Sequence, residues 1–325
     1  MEMLYLNKKD IRNMGVTMGR IIEAVGEGLR LKGLEKVQMP PKSEIRPVPD
    51  SFLHAMPVYV DESQVCGMKW MSGYRSNVDK KLPYINGLLI LSDAANGIPL
   101  AVMDCSEITA TRTGAMVGIA AKHLARPDRS VVGFLGCGVQ ARNSLIALMD
   151  VMPKLSLVRC YDIIPEAAIN FVNDMESHFP LTSFVICESP EDMASFSDVI
   201  ITATPVIDKP KPSMDAGMLK EGALAIALDY DAAWTPEAMH ECNKIFTDDV
   251  DQLMFTKQQG QHFSAVSEDS YLDLGDVLAG TIPGRETDTE RILCLNLGIA
   301  VADIVTAKLF YDRAIKQGIG VNLTL

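Results

Sequence analysis

Hydrophobic and polar positions along the chain follow two different rhythms, and the change falls near residue 127. Over residues 10–33 the apolar positions Ile11, Met14, Val16, Met18, Ile21, Ile22, Val25 and Leu29 recur every three to four residues. That spacing predicts one amphipathic helix, ended by Gly33. The stretch MPPKSEIRPVP is too rich in proline to continue it. Short apolar runs follow at 52–60, 65–73, 87–93 and 98–104, the last two joined by an Asn96-Gly97 hairpin turn. They predict a mainly antiparallel sheet. Asp104 and Glu107, three apart, signal the start of a helix through ITATRTGAMVGIAAKHLA. Arg126-Pro127-Asp128 breaks that helix.

From residue 131 short apolar strands alternate with helical patterns. The strands are SVVGFLG, LVRCYD, SFVIC, DVIITAT, ALAIALD and KIFTDD. The intervening helices are VQARNSLIALMDV, PEAAINFVNDMESHF, SPEDMASF, MDAGMLK and TPEAMHECN. Continuous apolar strands separated by helices predict a doubly wound parallel sheet with both faces covered, a Rossmann-like α/β fold. The tail from Thr289 to Gln317 reads as one further long helix.

Composition narrows the function classes. The chain has 325 residues, 48% hydrophobic and 22% charged, enough for about two globular domains. A formal net charge of −12 disfavours nucleic acid and anionic membranes as partners, since both require a basic footprint. No apolar run is long enough to span a bilayer, and the first residues lack a signal-peptide core, so a cytoplasmic location is expected. Seven scattered cysteines form no Cys-x-x-Cys pair, and five histidines form no metal-ligand spacing; reduced thiols and no metal site are expected.

The stretch FLGCGVQAR (134–142) carries the first chemical signal. Gly136, Gly138 and Ala141 fall as G-x-G-x-x-A between a predicted strand and a predicted helix. The first glycine permits a sharp turn and the second lets backbone approach a pyrophosphate. The small third residue permits close helix–strand packing, and the helix N-terminus favours phosphate. Asp162 ends the next strand about twenty residues on, where an acid accepts hydrogen bonds from a ribose 2′-hydroxyl. NAD is therefore preferred to NADP. Thr204 ends a later strand of the same domain. Upstream, Lys69 lies among apolar strand residues, where a lysine must reach water or an anion. Arg112 lies early in a helix, where the macrodipole disfavours a cation and a ligand carboxylate would offset the cost. Asp229 and Asp231 both follow a buried-type strand. Periodicity alone does not choose between them as a general acid/base.

These segments together resemble the ornithine cyclodeaminase/mu-crystallin family. The resemblance rests on AMPVYV, GMKWMSGYRSN, LSDAANGIPLAVMD, ITATRTGA, LARP, GCGVQAR and LGDVLAGTIPGR, in that order along nearly the whole chain. It implies an α+β substrate-binding and dimerisation domain of residues 1–126 plus 300–325, with an NAD-binding Rossmann-like domain of 127–299 inserted into it. Members are usually homodimers. By resemblance Lys69, Arg112 and one of Lys42 or Arg46 hold a substrate carboxylate, Lys69 also serving the reaction. Val139, Gln140 and Asp162 touch the dinucleotide, with Tyr84, Arg112, Thr113, Thr204, Leu228 and Asn296 as further cofactor contacts. Asp231, rather than Asp229, is the acid/base. The residues after Asp231 (Ala232-Ala233-Trp234), Leu295-Asn296-Leu297-Gly298, and Tyr84 depart from the cyclodeaminase pattern. The implied activity is hydride transfer at the α-carbon of a small amino or imino acid. One form is ornithine to proline plus ammonia. Alternatives are a cyclic ketimine reductase, an alanine or N-alkyl amino acid dehydrogenase, and a non-catalytic NAD(P)H-binding protein.

Overall fold

The computed structural model describes residues 2–207, 210–260, 262–265 and 267–325; residue 1 of the expected first domain lies outside them. In chain order the elements are β1 (Glu2–Leu6), α1 (Lys8–Asn13), α2 (Met18–Gly33), β2 (Val37–Gln38), β3 (Ser43–Ile45), β4 (Ser51–Val60), β5 (Val65–Tyr74), β6 (Ile85–Asp93), β7 (Pro99–Asp104) and α3 (Ser106–Leu124). Then follow β8 (Val131–Leu135), α4 (Val139–Val151), β9 (Leu157–Tyr161), α5 (Pro165–His178), β10 (Ser183–Ile186), α6 (Pro190–Ser195), β11 (Val199–Thr202), β12 (Leu224–Ala227), α7 (Pro236–His240) and β13 (Lys244–Thr247). The chain closes with α8 (Val250–Gln258), β14 (Tyr271–Asp273), α9 (Leu274–Ala279), β15 (Ile292–Leu295), α10 (Ala300–Gln317) and β16 (Val321–Thr324). Two compact units result, Met1–Arg112 with Ile299–Leu325, and Thr113–Gly298.

The first unit is built on a sheet in the order β16-β1-β7-β6-β5-β4-β2, with β3 also paired to β4. β4 to β7 form the expected antiparallel meander, closed at Asn96-Gly97 by the Gly97 N–H to Asp93 carbonyl bond of 2.8 Å. β1 and β16, at opposite ends of the sequence, pair with each other and extend this sheet; neither was expected. The predicted single helix over 10–33 is in fact two. Asn7 caps α1 with a reciprocal box to Asp10, Gly15 takes a left-handed φ of 67°, and Thr17 starts α2 anew. Helices α2 and α10 pack together, and α10 also lies on β4, β5 and β6. The N-terminal half of α10 is buried through Ala300–Ala307, so its sequence is apolar nearly all round. Asp303 interrupts that apolar run.

The second unit is the expected parallel sheet, in the order β10-β9-β8-β11-β12-β15-β13-β14. The order reverses between β8 and β11, and ligands of open α/β sheets bind beyond the carboxyl ends of strands at such a switch point. Two expectations fail here. Residues 214–220 form turns rather than a helix, with Gly217 at φ 86°. The predicted helix from Thr289 is also divided: Ile292–Leu295 is β15, inserted between β12 and β13, and Gly298 at φ 81° precedes the start of α10. A four-residue apolar run fits a fully buried strand as well as a helical turn, and here the strand's neighbours decide.

Candidate functional site

The sequence-predicted residues fall into two groups, one within each unit. In the first, strand alternation sends Lys69 to the same face of β5 as Val65 and Met71, opposite Met56 on β4 and Leu89 on β6. Lys69 is wholly buried. Its Nζ lies 2.7 Å from Asp303 Oδ2, and Arg112 Nε donates to Asp303 Oδ1 at 2.9 Å. The Lys69 contact is ionic but poorly aligned, and Nζ makes no hydrogen bond among the described residues. Burial pushes the Lys69 ammonium down from 10.5 to about 8, Arg112 adds to the fall, and Asp303 opposes it. Two cations thus share one carboxylate in a buried setting. The residual positive charge is costly unless an anion joins it.

Lys42, just before β3, is also buried, whereas Arg46 lies beyond the end of β3 on the surface and pairs with Glu44. Of the two basic candidates, Lys42 is the one that shares the interior with Lys69. His54 on β4 connects them: it is buried, bonds Glu44 Oε2 through Nε2 at 2.7 Å, and stacks on Phe52 with centroids 4.6 Å apart. Burial holds His54 down at about 4, and Lys42 and Lys69 push in the same direction, so it is uncharged at neutral pH. Burial would raise Glu44, yet the bonds from His54 and Arg46 hold it at about 2. Tyr84 sits against this group, its ring edge-on to Phe52 at 6.5 Å.

In the second unit Gly136 follows β8 with φ 92°, and a Cβ there would meet the Ala203 carbonyl oxygen at 2.7 Å. Gly138 is the N-cap of α4, and a Cβ on it would meet nothing within 4 Å. The first glycine is therefore required by the protein's own packing, whereas the second borders open space at a helix N-terminus. Val139 opens the helix and is exposed, and Gln140 Oε1 is buried without a hydrogen-bond partner among the described residues. Asp162 accepts from Cys137 N at 2.8 Å and from Ile164 N at 2.9 Å, tying the end of β9 to the glycine turn. Each oxygen keeps a further acceptor site. These features fit a dinucleotide.

The two aspartates after β12 now separate. Asp229 is fully buried and its carboxylate accepts from Thr202 Oγ1 (2.7 Å), Thr204 N (2.9 Å) and Thr204 Oγ1 (2.6 Å). Its carboxyl is raised by burial, against those bonds. It braces the loops after β11 and β12, and Thr204 spends its hydroxyl on that brace. Tyr230, between the aspartates, has φ 60°, so the chain turns sharply there and the even spacing of a strand no longer applies. Asp231 stays partly accessible, with 18% of its side chain exposed, and meets His262 Nδ1 at 2.6 Å and Phe263 N at 2.6 Å. Nearby in the fold, Leu228 N donates to Thr202 O at 2.8 Å. Asn296 follows β15 and is buried, its Nδ2 without a partner among the described residues. Thr113 is buried in α3.

Sequence reasoning missed Asp303 and His262. The only sign of Asp303 was one acid inside the apolar run of α10; His262 lies in an irregular segment and left no periodic signal. Among the described residues, no group of three or more His, Cys, Asp or Glu gathers as a metal site would, and no helix is long and apolar enough to cross a membrane.

The family model described as "Ornithine cyclodeaminase/mu-crystallin family" matches residues 2–318. The chain is 36% identical over 326 residues to an alanine dehydrogenase of Archaeoglobus fulgidus, covering 98% of each protein. Among solved structures it is similar to a Thermococcus litoralis Δ1-pyrroline-2-carboxylate reductase in complex with NADH and L-proline. There the TM-score is 0.90 at 30% identity, covering 99% of this chain and 100% of that one. It is likewise similar to an archaeal alanine dehydrogenase dimer with bound NAD, with TM-score 0.90, 32% identity and all of each chain covered.

Proposed function

The chain belongs to the ornithine cyclodeaminase/mu-crystallin family, and from that premise we propose that it is an NAD-dependent oxidoreductase interconverting a small amino acid and its imine. The observation that carries this reading is the buried excess of positive charge at Lys69 and Arg112, which a substrate carboxylate would balance. Arg112 offers a planar fork and Lys69 a point charge with unengaged N–H groups; together they orient the carboxylate of an amino or imino acid. Lys42 is the third basic contact. Asp162, Gly138, Val139 and Gln140 would hold NAD's dinucleotide, and the Asn296 Nδ2, without a partner among the described residues, suits its carboxamide. When bound, the cofactor supplies or accepts a hydride. Asp231 gives a proton to the substrate nitrogen during reduction and removes one during oxidation.

A dehydrogenase or reductase is favoured over ornithine cyclisation because Asp231 is followed by buried Ala232, Ala233 and Trp234, whose one polar group, the indole N–H, is a donor engaged by Thr202 Oγ1 at 3.2 Å and offers a second amine no acceptor. The test is a substrate panel followed by nicotinamide absorbance: NADH with pyruvate plus ammonium, and NADH with Δ1-pyrroline-2-carboxylate. NADH oxidation with either imine supports the proposal. Ammonia release from ornithine with catalytic NAD⁺ would replace it with the cyclodeaminase reading. Tight NADH binding without turnover on any of them would leave a binding protein.

The same proposal includes a homodimer. One face of the first unit's sheet carries the helices, while the other presents apolar rows. Ala55, Trp70 and Leu88 are in register, as are Pro57, Met68, Ile90 and Val102. Trp70 is 42% and Leu88 47% exposed. A patch of this kind suits a second copy of the chain. Light scattering of the double variant Trp70→Glu, Leu88→Glu should give a monomer where the parent gives a dimer.

A further inference from the structure

Asp231 is the one acid at the end of β12 with an accessible side chain, and what stands behind it is unusual. His262 contributes Nδ1 to Asp231 Oδ1 at 2.6 Å and Phe263 contributes its backbone N–H to Oδ2 at 2.6 Å. Both carboxylate oxygens are thus held by adjacent residues of one segment. His262 has only 5% of its side chain exposed against 18% for Asp231, so the imidazole lies on the protein side of the carboxylate. The Tyr230 ring stands edge-on to His262 at 5.0 Å and packs on Phe263 at 5.7 Å, and the Tyr271 hydroxyl donates to the Phe263 carbonyl at 3.5 Å.

The backbone holds this arrangement at a cost. Tyr230 has φ 60° and Phe263 φ 62°, a left-handed region that disfavours side chains of their size. Two such residues flank one carboxylate and pack against each other. Strain of this kind persists where the surroundings over-determine it and concentrates where geometry must be fixed. A surface acid capping a loop would need neither. Asp229, two residues away, is fixed by threonines with no histidine and no strained residue among its partners.

We propose that His262 is a positioning residue for the acid/base, holding the Asp231 carboxylate in one orientation through Nδ1–H while Phe263 N–H fixes its other oxygen. The inference rests on the role given to Asp231 above. An ionised Asp231 requires the Nδ1–H tautomer, leaving each carboxylate oxygen one further acceptor direction for the proton it exchanges with substrate. His262 acts through Asp231 and does not touch the reacting atoms.

The test uses His262→Ala, His262→Asn, Asp231→Asn and the double variant Asp231→Asn, His262→Ala. Turnover is followed with NADH and the imine that the parent reduces, together with NADH affinity and the unfolding midpoint. His262→Ala is expected to lower kcat about 10- to 100-fold, the scale of a misplaced catalytic group, while KM and NADH affinity change little. His262→Asn restores most of the rate, because its amide N–H reaches the place of Nδ1–H. The double variant is no slower than Asp231→Asn alone, since a residue that works only through Asp231 has nothing left to position. Wild-type rates in His262→Ala overturn the proposal. So do multiplicative losses in the double variant, or an Asn variant as slow as Ala with a lowered unfolding midpoint. A proton NMR signal from a hydrogen-bonded Nδ1–H, lost in Asp231→Ala, checks the contact without turnover. Its absence in the parent also overturns the proposal, whereas its presence in a protein that reduces no imine overturns the activity and leaves the contact standing.

Discussion

Lys69 offers the sharpest perturbation, because its burial should cost stability that only function justifies. Lys69→Met removes the ammonium and keeps an unbranched side chain of similar length in the same apolar surroundings. The magnitude follows from the fall of the Lys69 ammonium from 10.5 to about 8. At 1.36 kcal/mol per pKa unit, that gap is about 3 kcal/mol of folding free energy lost whenever Lys69 is charged. The sign follows from proton counting. Between pH 8 and 10.5 the unfolded chain holds a proton on this residue that the folded chain has released. The parent therefore gains stability as pH rises through that window and loses it as pH falls to 8. Below pH 8 both states are protonated and the full cost is present. Lys69→Met should accordingly be about 3 kcal/mol more stable than the parent at pH 7, with the difference shrinking above pH 8 and vanishing beyond 10.5. Urea unfolding of both proteins at pH 7, 8, 9 and 10, at matched m-values, measures it. Turnover in the same variant should fall by at least 100-fold. A variant less stable than the parent at pH 7 would refute the reasoning, for it would mean that Lys69 is a structural partner of Asp303 rather than a stored charge. A stability gain independent of pH would refute the electrostatic cause.

Other expectations follow from the same geometry. The Cβ of Gly138→Ala meets no protein atom within 4 Å and requires no positive φ, so the unfolding midpoint should hold while NADH affinity falls at least 10-fold; retained affinity would remove the glycine turn from the cofactor site. Asp229→Ala strands three donors and should cost about 3 kcal/mol, whereas Asp231→Asn should fold normally and lose more than 100-fold in turnover; the reverse pattern would exchange the two roles. His54 falls from 6.5 to about 4 and Glu44 from 4.5 to about 2, so both give stability at neutral pH that is lost on acidification, His54 between 6.5 and 4 and Glu44 between 4.5 and 2. His54→Gln should flatten the upper part of that acid slope in urea unfolding, and an unchanged slope would show that His54 is not buried neutral.

What could be read from the sequence was local. β4 to β7 and α3 to β13 announce themselves because alternation, apolar runs and turn residues lie within a few positions of each other. The glycine turn and Asp162 lie in consecutive strand ends, so a fixed spacing joins them. The helix errors at 10–33 and 214–220 arose from local turns at Gly15 and Gly217, and the strand errors arose where distant partners decide. Ile292–Leu295 becomes a strand because β12 and β13 flank it, and β1 becomes one because β16 and β7 do. The same limit governs the site. Asp303 meets Arg112 across 191 positions and His262 meets Asp231 across 31, and no short-range rule connects either pair.

The residues of the two groups nevertheless share a physical mark. Asp303 is a charge in a helix that would bury more favourably as an apolar residue, and Lys69 is a lysine in a strand core. Tyr230 and Phe263 hold a backbone conformation that glycine or asparagine would adopt more readily. Each choice works against folding at its own position, and each is compensated by another on this short roll: Asp303 by Lys69 and Arg112, the turn at Tyr230 by its packing on His262 and Phe263. Local cost with a distant counterpart is what a preorganised site requires, since groups that must bind or move charge cannot also be fully neutralised by the fold. On that reasoning the residue pairs are units of design rather than single residues. Asp303→Asn should consequently shift the proton equilibrium of Lys69 and impair carboxylate binding together. A variant that lost one without the other would show that the triad is not a unit.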